Sequence, residues 1–221
     1  KEAIDTFIDI THEAYKREFG EKFGKCIPSI FTDEPQFTVK GTLDYAQSQS
    51  EVVLPWTFDF DKGFFAKYGY SIVEKLPELF WELPNGEVSV ARYHYHDFVA
   101  QRFTEAFAGN CGEWCERNNL RFTGHVMGEE SLDSQTSSVG ETMRMYKYFG
   151  IPGMDMLRNS TEFTSAKQVQ SVVRQYGKEG MLSELNGVMG WEYDFRDYKF
   201  HGDWQTALGV TIRVPHLSWV S

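Results

Sequence analysis

The sequence predicts an α/β protein built on a parallel sheet, and three observations carry that reading. Helical periodicity gives way to a short apolar run five times in succession. No long alternating strands pair between those runs, as an antiparallel sheet would require. The apolar runs also end in acidic or histidine side chains, at the end of a parallel strand where functional groups gather.

The units follow in chain order. "KEAIDTFIDITHEAYKREFG" places Ile4, Phe7, Ile8, Ala14 and Tyr15 at three- and four-residue spacing, which predicts an amphipathic helix stopped at Gly20 and Gly24. "CIPSIFTDEP" then reads as a strand ending in Asp33 and Glu34. After a mixed loop over 41–60, "DKGFFAKYGYSIVEKLPELF" carries helical patches broken at Gly69 and Pro77. "VSVARYHYHDFVAQRFTEAFAGNCGEWCERNN" is the longest helical pattern and leads into the strand "LRFTGHVMGEE". The third unit is "SVGETMRMYKYFG" followed by "IPGMDML", with Asp155 near the strand's end. The fourth places Val169, Val172, Val173 and Tyr176 on one helical face, before "MLSELNG" with Glu184. The fifth runs from "YDFRDYKFHGDWQTA" into "LGVTIRVPHLSW".

Composition bounds the function. The net charge is −10, from 32 acidic against 22 basic residues, and no basic stripe offsets it, which argues against nucleic-acid and anionic-membrane partners. No run approaches the ~18 apolar residues of a membrane span, and no signal-peptide pattern opens the chain at Lys1. An aromatic share of 16% predicts surfaces for flat, amphipathic ligands such as sugars. The three cysteines form no disulfide framework, and Cys111 and Cys115, four apart on a helix, read as buried thiols. His94 and His96 in "RYHYHDF" lie two apart on a helix and do not face one another, so they share no metal.

Parallel strands joined by helices leave a doubly wound sheet or a TIM barrel. The glycine-rich turn of a nucleotide-binding doubly wound fold is missing: there is no G-x-G-x-x-G and no G-x-x-x-x-G-K-[ST]. In a barrel the strand ends converge on one mouth. The expectation is therefore a (β/α)8 barrel whose mouth collects Asp33 and Glu34, then His125 with Glu129 and Glu130, then Asp155, Glu184, and His216 with Trp219. Five strands do not close such a barrel. Residues 1–221 are accordingly read as the later part of a single barrel domain, roughly its fourth to eighth strands, the remainder belonging to a longer protein.

"FTDEP", "FTGHVMGEE", "PGMDML", "LSELNGVMGW" and "GVTIRVPHLSW", in that order, resemble the later strands of the catalytic barrel in glycoside hydrolase family 106, the bacterial α-L-rhamnosidases and their relatives. The resemblance implies a (β/α)8 barrel, hydrolysis with inversion by a pair of glutamates, a plant-type polysaccharide substrate and a calcium ion near it.

The chemistry can be argued beside the name. Glycoside hydrolysis needs one carboxylic acid to protonate the leaving oxygen and a second carboxylate to activate water or to attack. Glu34 and Glu184 stand on different strand ends, facing across a mouth, and are the expected general acid and base. Asp33, beside Glu34 on extended backbone, would point the other way and act as a tuning or substrate-binding neighbour. His125, Asp155, Trp191 and His216 are the remaining candidates for sugar contacts, and Glu129 and Glu130 for oxygen ligands of calcium. Two alternatives stay open: a retaining β-glycosidase barrel using the same glutamates, and a non-catalytic carbohydrate-binding barrel whose mouth is blocked by Phe58, Phe60 or Trp191.

Overall fold

The computed structural model describes residues 1–37, 41, 43, 45, 47–158 and 160–217. Five parallel strands form one half-barrel sheet in the order β1-β2-β3-β4-β5, with every neighbour in the sheet a neighbour in sequence. The strands are β1 (Ser29–Thr32), β2 (Arg121–Gly124), β3 (Ile151–Met156), β4 (Leu182–Leu185) and β5 (Ile212–Pro215). Each lies within the apolar run that predicted it.

The helices depart from the prediction where side chains compete with the backbone. The expected single helix over 1–20 is two, α1 (Glu2–Ile10) and α2 (His12–Phe19). They are broken at Thr11, whose hydroxyl donates to the Phe7 carbonyl at 2.6 Å and lies 2.8 Å from Nδ1 of His12. The expected stop holds in α3 (Phe60–Tyr68), which ends on left-handed Gly69 (φ 80°); Pro77, expected as a break, instead sits in the first turn of α4 (Leu76–Phe80), where its missing N–H costs nothing. The long pattern over 88–119 is α5 (Val90–Phe103), a π-helical segment Thr104–Gly109, and α6 (Asn110–Arg117). Then α7 (Leu132–Ser138) and α8 (Thr142–Tyr146) precede β3, while α9 (Phe163–Tyr176) and α10 (Phe195–Ala207) precede β4 and β5.

Strand alternation sorts the two faces of the sheet. In β3, Met154 and Met156 are fully buried and pack with Val169 and Val172 of α9, while Asp155 points to the opposite face. In β4, Ser183 donates to Oε1 of Gln205 on α10 at 2.6 Å, and Glu184 shares the face of Asp155, its in-register partner. Burying each such apolar side chain is worth about 1.5–3 kcal/mol. Tyr176, expected on the buried face of α9, is 49% exposed because the helix ends there on left-handed Gly177. A second, largely aromatic core of Phe60, Phe64, Tyr95 and Phe98 sits among α3, α4 and α5. Cys111 and Cys115 are buried free thiols, pushed up to about 12 by burial.

Glycines let neighbouring strands approach at the level of the site. Gly124 has φ 123°, and a Cβ there would meet the Thr32 carbonyl oxygen at 1.9 Å. A Cβ on Gly153 would meet the Gly124 carbonyl oxygen at 2.7 Å.

Candidate active site at the strand ends

His125, the residue after β2, is the centre of the site. It is fully buried, its ring set edge-on to Phe31 of β1 at 5.5 Å between centroids. Its backbone N–H donates to the Thr32 carbonyl at 3.3 Å, which extends the β1–β2 pairing by one residue and aims the ring at the neighbouring strand ends. Nε2 lies 2.8 Å from Oε2 of Glu184 and 3.7 Å from Oδ1 of Asp33. Nδ1 is buried with no hydrogen-bond partner among the described residues, as is Oδ1 of Asp155.

Both acids of "TDEP" reach this imidazole. Glu34 has φ 43°, a left-handed backbone in a non-glycine residue that also precedes a proline. The expectation that Asp33 points away is therefore corrected: strict alternation ends with β1 at Thr32 and does not carry through the turn. One oxygen of Asp33, one nitrogen of His125 and one oxygen of Glu184 lie within 4.8 Å of one another, as do atoms of Glu34, His125 and Asp155. Three strand ends, β1, β3 and β4, thus deliver four carboxylates to the imidazole at the end of β2.

The crowding shifts the acids. Burial holds the Asp155 carboxyl up at about 6; His125 opposes this, and Glu184, Glu34 and Asp33 reinforce it. Glu34 is also raised, by burial first and by Asp33 and Glu184 to a smaller degree, against the pull of His125.

Glu129 has a different place from the one expected. Its side chain is buried; Oε1 accepts the Asp155 backbone N–H at 2.9 Å and Oε2 accepts the Tyr146 hydroxyl. Its carbonyl accepts from Gln135 Nε2 at 3.0 Å and Gln168 Nε2 at 2.9 Å, tying α7 and α9 to the β2 end. Burial pushes the Glu129 carboxyl up to about 8. Glu130 is exposed. Calcium takes six to eight oxygen ligands; Glu129 spends both carboxylate oxygens on the protein, while exposed Glu130 lies at the rim of the acidic cavity. Both three-residue clusters above include the His125 nitrogen, which a hard cation does not favour.

The remaining candidates are Trp191 and His216. Trp191, between β4 and α10, is fully exposed. His216 follows β5, its ring placed so that a Cβ on Gly187 would meet it at 3.1 Å, and its Nδ1 lies 3.0 Å from the Leu217 carbonyl. Trp219 falls outside the described residues. Phe60 is buried in the aromatic core and Phe58 is exposed.

Sequence reasoning missed Tyr146, which holds Glu129, and Glu162, which precedes α9. Glu162 accepts from Ser160 and Ser165 and lines, with Glu34, Glu129, Glu130 and Asp155, a cavity of about 230 Å³ beside His125's neighbours. An acid just before a helix start was a readable cue; the Tyr146 contact, made across the fold, had none.

No family model and no curated protein matches the chain. Among solved structures it is similar to a rhamnosidase from Novosphingobium sp. PP1Y, with a TM-score of 0.70 at 19% identity. The match covers 98% of this chain and 20% of that one, so the chain spans about a fifth of the rhamnosidase's length. At that identity the likeness is one of fold.

Proposed function

We propose that this chain is the later part, roughly the fourth to eighth strands, of a (β/α)8 glycoside hydrolase domain that removes a terminal α-L-rhamnosyl unit with inversion. The observation that carries the proposal is the convergence of Asp33, Glu34, Asp155 and Glu184 on buried His125 at the carboxyl ends of parallel strands. The fold likeness to a rhamnosidase supports a glycoside hydrolase-like domain, and rhamnose is the sugar that this neighbour's name suggests testing first.

Glu34 is the general acid. Burial first, and the neighbouring Asp33 and Glu184, raise its pKa, the direction that favours the acid form that gives its proton to the leaving oxygen as the anomeric carbon–oxygen bond breaks. Glu184, held by Nε2 of His125, is the base: it takes a proton from the water that attacks the anomeric carbon from the opposite face. Asp33 and Asp155 bind sugar hydroxyls, buried His125 orients Glu184, and Glu129 fixes the Asp155 backbone without touching substrate.

Hydrolysis of an aryl α-L-rhamnoside by the full-length protein, followed by NMR of the released anomer, tests this. The expected result is the inverted anomer, with kcat lowered by about 10²–10⁴ in Glu34→Gln and in Glu184→Gln. Retention of configuration would reassign Glu184 as a nucleophile. Folded variants as active as the parent would remove both residues from the chemistry.

A further inference from the structure

A second cleft, about 860 Å³ in volume, opens among α3, α5 and the π-helical segment, away from the carboxylates. We propose that it is a carbohydrate-binding site of its own, taking a segment of neutral oligosaccharide on the same side of the sheet as the acidic centre. The inference rests on the hydrolase reading only for its choice of probe.

Its position comes from topology. A helix that leads into a parallel strand runs antiparallel to it, so helix N-termini lie at the side where the strands end. Asn110 lines the cleft at the start of α6, the helical stretch before β2, and so at the end of that stretch far from the start of the strand, which puts it toward the strand ends. The chain running on from Glu34 through Pro35 supplies Gln36 and Phe37 to its wall. Phe37 N–H donates to the Ser138 carbonyl at 3.0 Å, and Ser138 lines the small acidic cavity. One backbone hydrogen bond therefore joins the walls of the two spaces.

Its chemistry is that of a sugar platform. Trp56 rests one face on Phe60, with centroids 4.5 Å apart and planes at 29°, yet remains 43% exposed. A rigid, half-exposed indole offers a flat apolar surface to the C–H face of a pyranose. Arg102 Nη2 donates to both carboxylate oxygens of Asp59, at 2.8 and 3.1 Å, and Asp59 also accepts from Thr57 at 2.9 Å. The pair cancels its own charge while keeping lone pairs and N–H groups for hydroxyls, which suits a neutral ligand. The π-helical turn at Thr104–Gly109 interrupts the long helix where Glu105 and Ala106 line the cleft. Such interruptions recur at functional sites.

The test is isothermal titration of the full-length protein with neutral rhamno-oligosaccharides of two to six units, in the Glu184→Gln background to prevent turnover. Trp56→Ala is expected to weaken binding of the longer oligosaccharides about 10- to 30-fold, with Trp56→Phe restoring most of it and free rhamnose unaffected. Asp59→Asn, which leaves the Phe60 stack in place, is expected to weaken the same ligands. Unchanged affinity in folded Trp56→Ala and Asp59→Asn overturns the proposal, and so does failure of the parent to bind any of the oligosaccharides. Loss of binding in Trp56→Ala by a protein that hydrolyses nothing keeps this site and removes the hydrolase reading.

Discussion

Asp155 carries the most informative single charge in the molecule. Its carboxyl is raised to about 6 because burial and the nearby Glu184, Glu34 and Asp33 carboxylates oppose ionisation more than His125 favours it. An acid whose folded pKa exceeds its unfolded value near 4 holds its proton more tightly when folded. Its contribution to stability is therefore full below about pH 4 and lost as pH rises through about 6. About two pH units at about 1.4 kcal/mol each set an upper bound of about 3 kcal/mol, which solvent screening at this partly exposed carboxyl lowers. Asp155→Asn imitates the protonated acid at every pH. Denaturant midpoints measured at pH 4.5 and 7 should differ less in the variant than in the parent; an equal difference would mean that Asp155 ionises as freely as a surface carboxylate. Glu129, raised to about 8, extends the same fall in stability upward by the same argument. Glu129→Gln keeps acceptor capacity for the Asp155 N–H and should remove the upper part of that fall.

Strand ends were legible because an apolar run that stops in an acid announces both the element and its chemistry, as in "IPGMDML" and "MLSELNG". The turn after β1 was not. The direction of Asp33 depends on a left-handed Glu34 before Pro35, which no propensity favours and which persists only because the surrounding packing holds it. Helix α7 was equally hidden. Leu132–Ser138 is polar enough to read as loop, and only the Ser131 cap, accepting from the Ser134 N–H at 3.1 Å, marks its start. The close approach of β1, β2 and β3 is another property that appears only with the strands paired. Gly124→Ala would set a Cβ 1.9 Å from the Thr32 carbonyl at a φ of 123°. The change should cost more than about 2 kcal/mol, read as a lowered Tm, and should displace His125 and abolish activity with it. A variant of parental Tm would show that the strands can part at this level without penalty.

At the scale of the whole molecule, the half-barrel and the aromatic layer beside it divide the labour that the composition foreshadowed. The acids gather at the strand ends, and the aromatics gather between α3 and α5, where Trp56 remains open to solvent. The sequence order could place the first group because strand ends share a mouth in any parallel fold, but not the second, since Trp56, Phe60, Tyr95 and Phe98 meet only when the long excursion between β1 and β2 folds back on itself. The net charge of −10 bears on the partner of both. A neutral glycan meets no long-range field, whereas one bearing uronic acids is repelled, and that repulsion is screened as the Debye length falls from about 30 Å at 0.01 M salt to about 3 Å at 1 M. On the proposed hydrolase reading, with this chain's own charge setting the field at the strand ends, kcat/KM on a neutral rhamnoside should stay constant across that range, while on a uronate-linked rhamnoside it should rise several-fold with salt. A fall with salt on the acidic substrate would mean that a local basic contact recognises the uronate, and the acidic surface would then be irrelevant to substrate choice.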